Sequence, residues 1–307
     1  PDGTPDIDQP GVSGPTEMDD RVAASIDFDN NDIYNMGDNC VETDGGAHNL
    51  RVFDNRCFNT GQHSLSAQPV LGGPVYFVRN IVYNSPAEGP LKFSETPAGV
   101  LVYQNTFAGA DTGPGGPVSN AHFLNNLFLG RGGSKPVLNI HTSTNYSTSD
   151  HNGFSLNQGP ANFEWDSPPN NIGADFDWNH KLTIRRFKTL QEFSDATALE
   201  KHSVVIGYDS FVKVPMPNDA DPLHLYNPED MDFHVQPASP AHGVGVALPT
   251  INDGYPGAGP DLGALQTGLP VPIYGPRTWP GSGTNSWAHG YRSWVGPPQV
   301  KDALVSR

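Results

Sequence analysis

Asn31-Asp32-Ile33-Tyr34-Asn35 opens a series that decides the fold, because the same phrase returns five more times. Asn55-Arg56-Cys57-Phe58-Asn59, Asn80-Ile81-Val82-Tyr83-Asn84 and Asn105-Thr106-Phe107-Ala108-Gly109 follow, then Asn126-Leu127-Phe128-Leu129-Gly130 and Asn152-Gly153-Phe154. The leading asparagines are spaced 24, 25, 25, 21 and 26 residues apart. A period of that size signals a solenoid, whose units bury their apolar faces against their neighbours. Short β-rich runs precede the rungs (Leu50 to Phe53, Val75 to Val78, Val100 to Tyr103, His122 to Leu124), and no helical periodicity of useful length lies between them. The predicted fold is therefore all-β: a single-stranded parallel β-helix (solenoid) with one short helix and an irregular C-terminal tail. The leading Asn is placed at a corner, where its side chain tolerates left-handed backbone and can both donate to and accept from its stacked copies.

Residues 1–20, rich in Pro, Gly and Asp, are expected to form an extended N-terminal arm. Residues 21–185 are the β-helix coils, with about six coils over 22–160. Residues 186–267 are the C-terminal end of the β-helix. There Thr189-Leu190-Gln191-Glu192 is a capping box that opens a helix near 190–198. Residues 268–307 are an irregular aromatic tail packed on the solenoid, with Tyr274, Trp279, Trp287, Tyr291 and Trp294. The first coil starts with a full apolar set, Val22, Ile26 and Phe28, and no capping helix. An upstream solenoid segment or a partner chain is expected to cover it. The opening residues lack a signal-peptide pattern, as in a mature form or a fragment.

A second strand follows each phrase, at Cys40–Asp44, Ser64–Gln68, Pro90–Ser94 and Val137–His141, and Val118 suggests a further one. Alternation points Val41, Thr43, Leu65, Ala67, Leu91, Phe93, Leu138 and Ile140 inward. Glu42, Ser66, Lys92 and Asn139 then form one outward row, and Asp44, Gln68, Ser94 and His141 the next.

The net charge of −16 argues against nucleic acid and suits a secreted or Ca2+-binding protein. It is uneven: residues 1–47 hold twelve acids and one base, whereas 48–136 hold six bases and four acids. The near-neutral middle is where an anionic substrate would be least repelled. No apolar run is long enough for a membrane span. Asp27 and Asp29 could hold Ca2+ through carboxylate oxygens, and a solvated acidic strand face is the competing reading. Cys40 and Cys57 could meet between adjacent coils, but buried free thiols are at least as good a reading, and no disulfide is assigned.

Gly37-Asp38-Asn39-Cys40-Val41-Glu42-Thr43-Asp44-Gly45-Gly46 with Asn49-Leu50-Arg51-Val52-Phe53-Asp54-Asn55 resembles the repeat of secreted right-handed parallel β-helix proteins, the pectin-lyase-like superfamily. Asp232-Phe233-His234-Val235-Gln236-Pro237-Ala238-Ser239-Pro240-Ala241 and Asp261-Leu262-Gly263-Ala264-Leu265 resemble its terminal motif. His242 stands where an acid commonly follows, and Gln266 replaces the common final Glu. The resemblance covers residues 22–266. It implies an extracellular or cell-surface, carbohydrate-active protein with a polysaccharide partner, acting as a polysaccharide lyase or a glycoside hydrolase. Polygalacturonase signatures are absent, and no complete alginate- or pectate-lyase motif is evident.

Elimination beside a uronate needs a base and a cation. Lys92 or His141 is the candidate base, and Arg79 or a bound Ca2+ the neutralising cation. Hydrolysis needs two carboxylates, and Glu42 and Asp44 lie two residues apart on one face. Gln68, Arg79 and Asn139 complete the candidate substrate-binding set. The competing reading is non-catalytic: a structural or adhesive β-helix of a cell surface or extracellular assembly.

Overall fold

A computed structural model describes residues 24–166, except 47, 69, 71–72, 87–88, 96, 111–113 and 143–145, and residues 184–275. The expected N-terminal arm, Val22, and Trp279, Trp287, Tyr291 and Trp294 lie outside the described residues.

The chain winds as a parallel β-solenoid, and three strand positions recur in each coil. The first face stacks Ala24–Asp29, His48–Phe53, Val75–Val78 and Ala98–Tyr103. The 119–124 half of Pro114–Leu124 follows, and Thr148–Asp150 closes it. The second stacks Asp32–Met36, Arg56–Thr60, Ile81–Ser85, Thr106–Ala110, Leu127–Leu129, Gly153–Ser155 and Val204–Val205. The third consists of Val41–Glu42, His63–Ser66 and Gly89–Lys92, then the 114–118 half of the long strand with Leu138–Thr142 and Phe163–Asp166. Except for the terminal antiparallel strand Arg185–Phe187, the pairings on these faces are parallel. One-coil connections require this, because no hairpin can join parallel neighbours.

The six asparagines form the ladder that their spacing predicts. Each Nδ2 donates to the Oδ1 of the next rung, from Asn31 through Asn55, Asn80, Asn105 and Asn126 to Asn152, at 2.9 to 3.1 Å. Each Oδ1 also accepts the backbone N–H of the preceding rung, at 2.8 to 3.1 Å. Six rungs enclose five full turns. The left-handed backbone lies one position earlier than the sequence suggests, at Asn30, Asp54, Arg79, Gln104, Asn125 and His151, with φ from 52° to 62°. The rung itself must aim its N–H along the solenoid, so the preceding residue makes the corner.

A second left-handed set, Asn35, Asn59, Asn84 and Gly109, ends the second-face strand. Here the amides point the other way: Asn84 Nδ2 donates to Asn59 Oδ1 and Asn59 Nδ2 to Asn35 Oδ1. The fourth copy carries Gly because a Cβ at Gly109 would stand 2.2 Å from Pro217 Cγ.

Inside, registered rows form the core. Val52, Phe77, Val102 and Phe123 stack on the first face; Cys57, Val82, Phe107, Phe128 and Phe154 stack on the second. The rings of Phe107, Phe128 and Phe154 follow one another at 5.2 and 5.7 Å. Each buried Phe contributes about 1.5–3 kcal/mol of transfer free energy. All eight third-strand residues expected inward are buried.

Cys40 and Cys57 form a disulfide, with Cα atoms 6.3 Å apart. The free-thiol reading is corrected: the turn before Val41 lies beside the second-face strand of the next coil, which brings the two sulfurs together.

The helix forms at Leu190–Thr197, and Thr189 and Glu192 make both reciprocal capping bonds. Its Phe193 packs on Phe163 and Trp165 and closes the C-terminal end of the core. Among the described residues no helix is long and apolar enough to cross a membrane.

Residues 186–267 do not simply continue the coils. After Val204–Val205 the chain lies over the outside of the second face. Phe58, Ile81, Tyr83, Ala108, Leu127 and Leu129 project there and form a second core with Phe211, Val214, Phe233, Val235, Leu262 and Leu265. Polar anchors fix this cover. The Arg56 guanidinium binds Asp32 and Glu229 and lies 4.9 Å from the Tyr274 ring centroid. Buried Gln104 donates to the carbonyls of Asp261 and Gly263.

Candidate functional site

The third face presents polar side chains in register. Val41 pairs with Leu65 and Leu65 with Leu91, so Glu42, Ser66 and Lys92 form one outward row, as the alternation predicts. Inward Leu and Val on the same strands fix that choice of face, since a slip by one residue would bury Glu42 and Lys92.

Glu42 is oriented by Asn39, whose Nδ2 donates to Oε1. Asp44, in the turn that follows the strand, is buried. Its Oδ1 accepts the Ser66 hydroxyl at 2.6 Å and the Gln68 backbone N–H at 2.7 Å. Burial raises its pKa, the Ser66 bond lowers it, the Glu42 charge raises it, and the Gln68 bond and the Lys92 ammonium lower it. The net result is a carboxyl pushed up to about 6. Gln68 is half-buried, with an Oε1 that finds no hydrogen-bond partner. Glu42, Asp44, Gln68 and Lys92 thus form one patch around Ser66. Glu42 and Lys92 stand two coils apart, about 10 Å along the axis.

Asn139 and His141 belong to a second patch. The 114–118 half-strand inserts between 89–92 and 138–142, so His141 stands two further coils from Lys92. Asn139 pairs in register with Pro114 and Glu164, and His141 with Pro117 and Asp166. His141 Nε2 lies 3.5 Å from Glu164 Oε1, and Arg186 Nε donates to Glu164 Oε2 at 2.8 Å. Glu164 and Asp166 are functional-type side chains that the sequence reading passed over. Phe163-Glu164-Trp165-Asp166 alternates as a strand should, but no rung asparagine leads it.

Arg79 is on neither patch. It occupies the corner between first and second faces and binds Asp54 at 2.9 Å, both side chains buried. Its guanidinium is thereby held away from the third face. Asp27 and Asp29 lie on the first-face strand Ala24–Asp29. Both oxygens of Asp27 accept from Arg51 on the neighbouring strand, at 2.6 Å each. A cation therefore already engages the carboxylate that Ca2+ would need, which favours the strand-face reading for that residue.

No protein-family model matches the chain, and it matches no curated protein and no solved structure. The parallel solenoid is what the structure shares with the pectin-lyase-like resemblance.

Proposed function

We propose that the protein is a secreted, carbohydrate-active solenoid that lays a linear polysaccharide along its third face and hydrolyses it at Glu42 and Asp44. One observation carries this reading: Glu42, at the end of strand Val41–Glu42, and Asp44, in the turn that follows, are two carboxyl groups two residues apart, and burial pushes the Asp44 pKa up to about 6. Hydrolysis by such a pair requires room for a water between acid and base. Asp44 would protonate the glycosidic oxygen, and Glu42, oriented by Asn39, would activate the water. Lys92 supplies a cation for a uronate unit. The Cys40–Cys57 disulfide supports an oxidising, extracellular compartment. Exposure of Ile26, Phe28, Tyr34 and Met36 on the first coil supports a further solenoid segment or a partner chain as its cover.

The test is incubation with neutral and uronate polysaccharides, with and without chelator, following reducing ends and unsaturated-product absorbance. Reducing ends without unsaturated product are expected. Glu42→Gln and Asp44→Asn should each lower the rate by about 10²-fold or more, Glu42→Gln at unchanged melting temperature. Unsaturated product would indicate elimination instead, with Lys92 or His141 as base. A non-catalytic structural or adhesive role is the second reading, favoured by the Ser66 and Gln68 bonds that make Asp44 a turn anchor. Silence on every substrate, with a lowered melting temperature for Asp44→Asn, would establish that role.

A further inference from the structure

Asp150, His151 and His202 meet at the corner of the sixth rung, away from both patches of the third face. The first two are adjacent in sequence; His202 arrives from 51 residues downstream on the turn that leads into Val204–Val205. Asp150 Oδ1 accepts the backbone N–H groups of His151 and His202, at 2.9 and 2.8 Å. That leaves Oδ2 facing the two imidazoles, with His202 Nδ1 at 2.7 Å and His151 Nδ1 at 3.6 Å. The rings stack with centroids 4.6 Å apart and an interplanar angle of 21°. One ligand atom from each residue lies within 4.8 Å of the other two.

We propose that Asp150, His151 and His202 form a binding site for a divalent transition-metal ion such as Zn2+, Ni2+ or Co2+. Ligand atoms bound at about 2.1 Å lie about 3.0 Å apart at right angles and about 3.4 Å apart in a tetrahedron. The two nitrogen-to-oxygen separations observed, 2.7 and 3.6 Å, bracket those values. Imidazole and carboxylate together select zinc and its neighbours over Ca2+ or Mg2+, which take oxygen ligands. The His202 side chain is 63 % exposed, so an ion can enter, and water or another ligand can fill the remaining coordination positions.

The surroundings hold the geometry. Fully buried Glu200, two residues before His202, accepts the hydroxyls of Ser149 and Ser203 and the Asn152 amide. That fastens the His202 turn to the end of the asparagine ladder.

Calorimetric titration of the full chain with Zn2+ and Ni2+, and the visible spectrum of a Co2+ titration, test the proposal. One ion per chain is expected, with a Co2+ spectrum of low coordination number. His202→Ala removes an exposed ligand. His151→Asn removes the second with a residue that tolerates its left-handed backbone, φ 52°. Each variant should bind at least about 10-fold more weakly while melting in the metal-free state as the wild type does. Absence of one-to-one binding by the wild type, or undiminished affinity in both variants, overturns the site.

Discussion

Removing one rung from the middle of the asparagine ladder should cost far more than removing its first rung. Asn80 is buried and makes four side-chain hydrogen bonds. Its Nδ2 donates to Val52 O and Asn105 Oδ1, and its Oδ1 accepts the N–H and Nδ2 of Asn55. In Asn80→Ala the Asn55 Nδ2 keeps the carbonyls of Phe28 and Phe53, and Asn105 Oδ1 keeps the Asn80 backbone N–H. The Asn55 N–H, however, loses its acceptor. An orphaned buried donor costs about 1–3 kcal/mol, and each exchanged bond about 0.5–1.5. The expected loss is about 2–4 kcal/mol. Asn31→Ala removes two outgoing bonds, to Asp29 O and Asn55 Oδ1, and leaves its own backbone N–H on Asn55. About 1 kcal/mol is expected there. Urea unfolding followed by circular dichroism measures both, and an unchanged m-value shows that the two curves can be compared. Equal losses at the two positions, or under 1 kcal/mol at Asn80, would refute the account of the ladder as a set of buried, mutually dependent bonds.

Two further outcomes follow from particular residues. Asp44 and Glu200 are acids whose folded pKa values lie above their unfolded ones, at about 6 and about 7. The folded state therefore binds protons more tightly, and their contribution, fully present below pH about 4, is lost as the pH rises through 6 to 7. Glu200→Gln should flatten the fall in melting temperature between pH 5 and pH 7.5 relative to the wild type, and identical slopes would contradict this. Gly109→Asn restores the repeat pattern and suits the left-handed φ of 70°, yet its Cβ collides with Pro217. A loss of about 1–3 kcal/mol in urea unfolding is expected, and a neutral or stabilising effect would contradict the contact.

The solenoid was legible because each rung makes the same demand: an amide that donates forward and accepts from behind at a fixed interval. Alternation on the third face was legible for the same kind of reason, with Leu65, Leu91 and Ile140 leaving their strands one way to face. The corner residue was displaced by one because either of two adjacent polar residues could turn left-handed, and only the ladder bonds decide between them. Gly113 to Pro117 hid the long strand Pro114–Leu124, which serves two faces at once. The cover over the second face left a trace that went unread. Cys57-Phe58, Val82-Tyr83 and Phe128-Leu129 place apolar residues on both sides of a strand, which requires burial from both sides. Of the site, the Glu42–Lys92 row could be read from alternation. Glu164 and Asp166 could not be found from the ladder, because no rung asparagine leads their strand. His202 reaches Asp150 by a long-range contact with no local signal.

The encounter of Asn152 with Glu200 gives the ladder a terminus as well as a direction. Every amide after the first both receives and passes on a hydrogen bond, but at the end of the row the Glu200 carboxyl oxygens only receive. Ser203 Oγ takes the Asn152 backbone N–H as a further rung would, and Glu200 takes its side-chain amide. A seventh asparagine would find both positions occupied. The molecule can therefore be lengthened internally but not at this end: duplicating the segment from Asn80 to Gln104 would leave every donor in the row with an acceptor. Coil number is in that sense an adjustable dimension of the architecture, and the Glu200 turn is the stop that makes it finite.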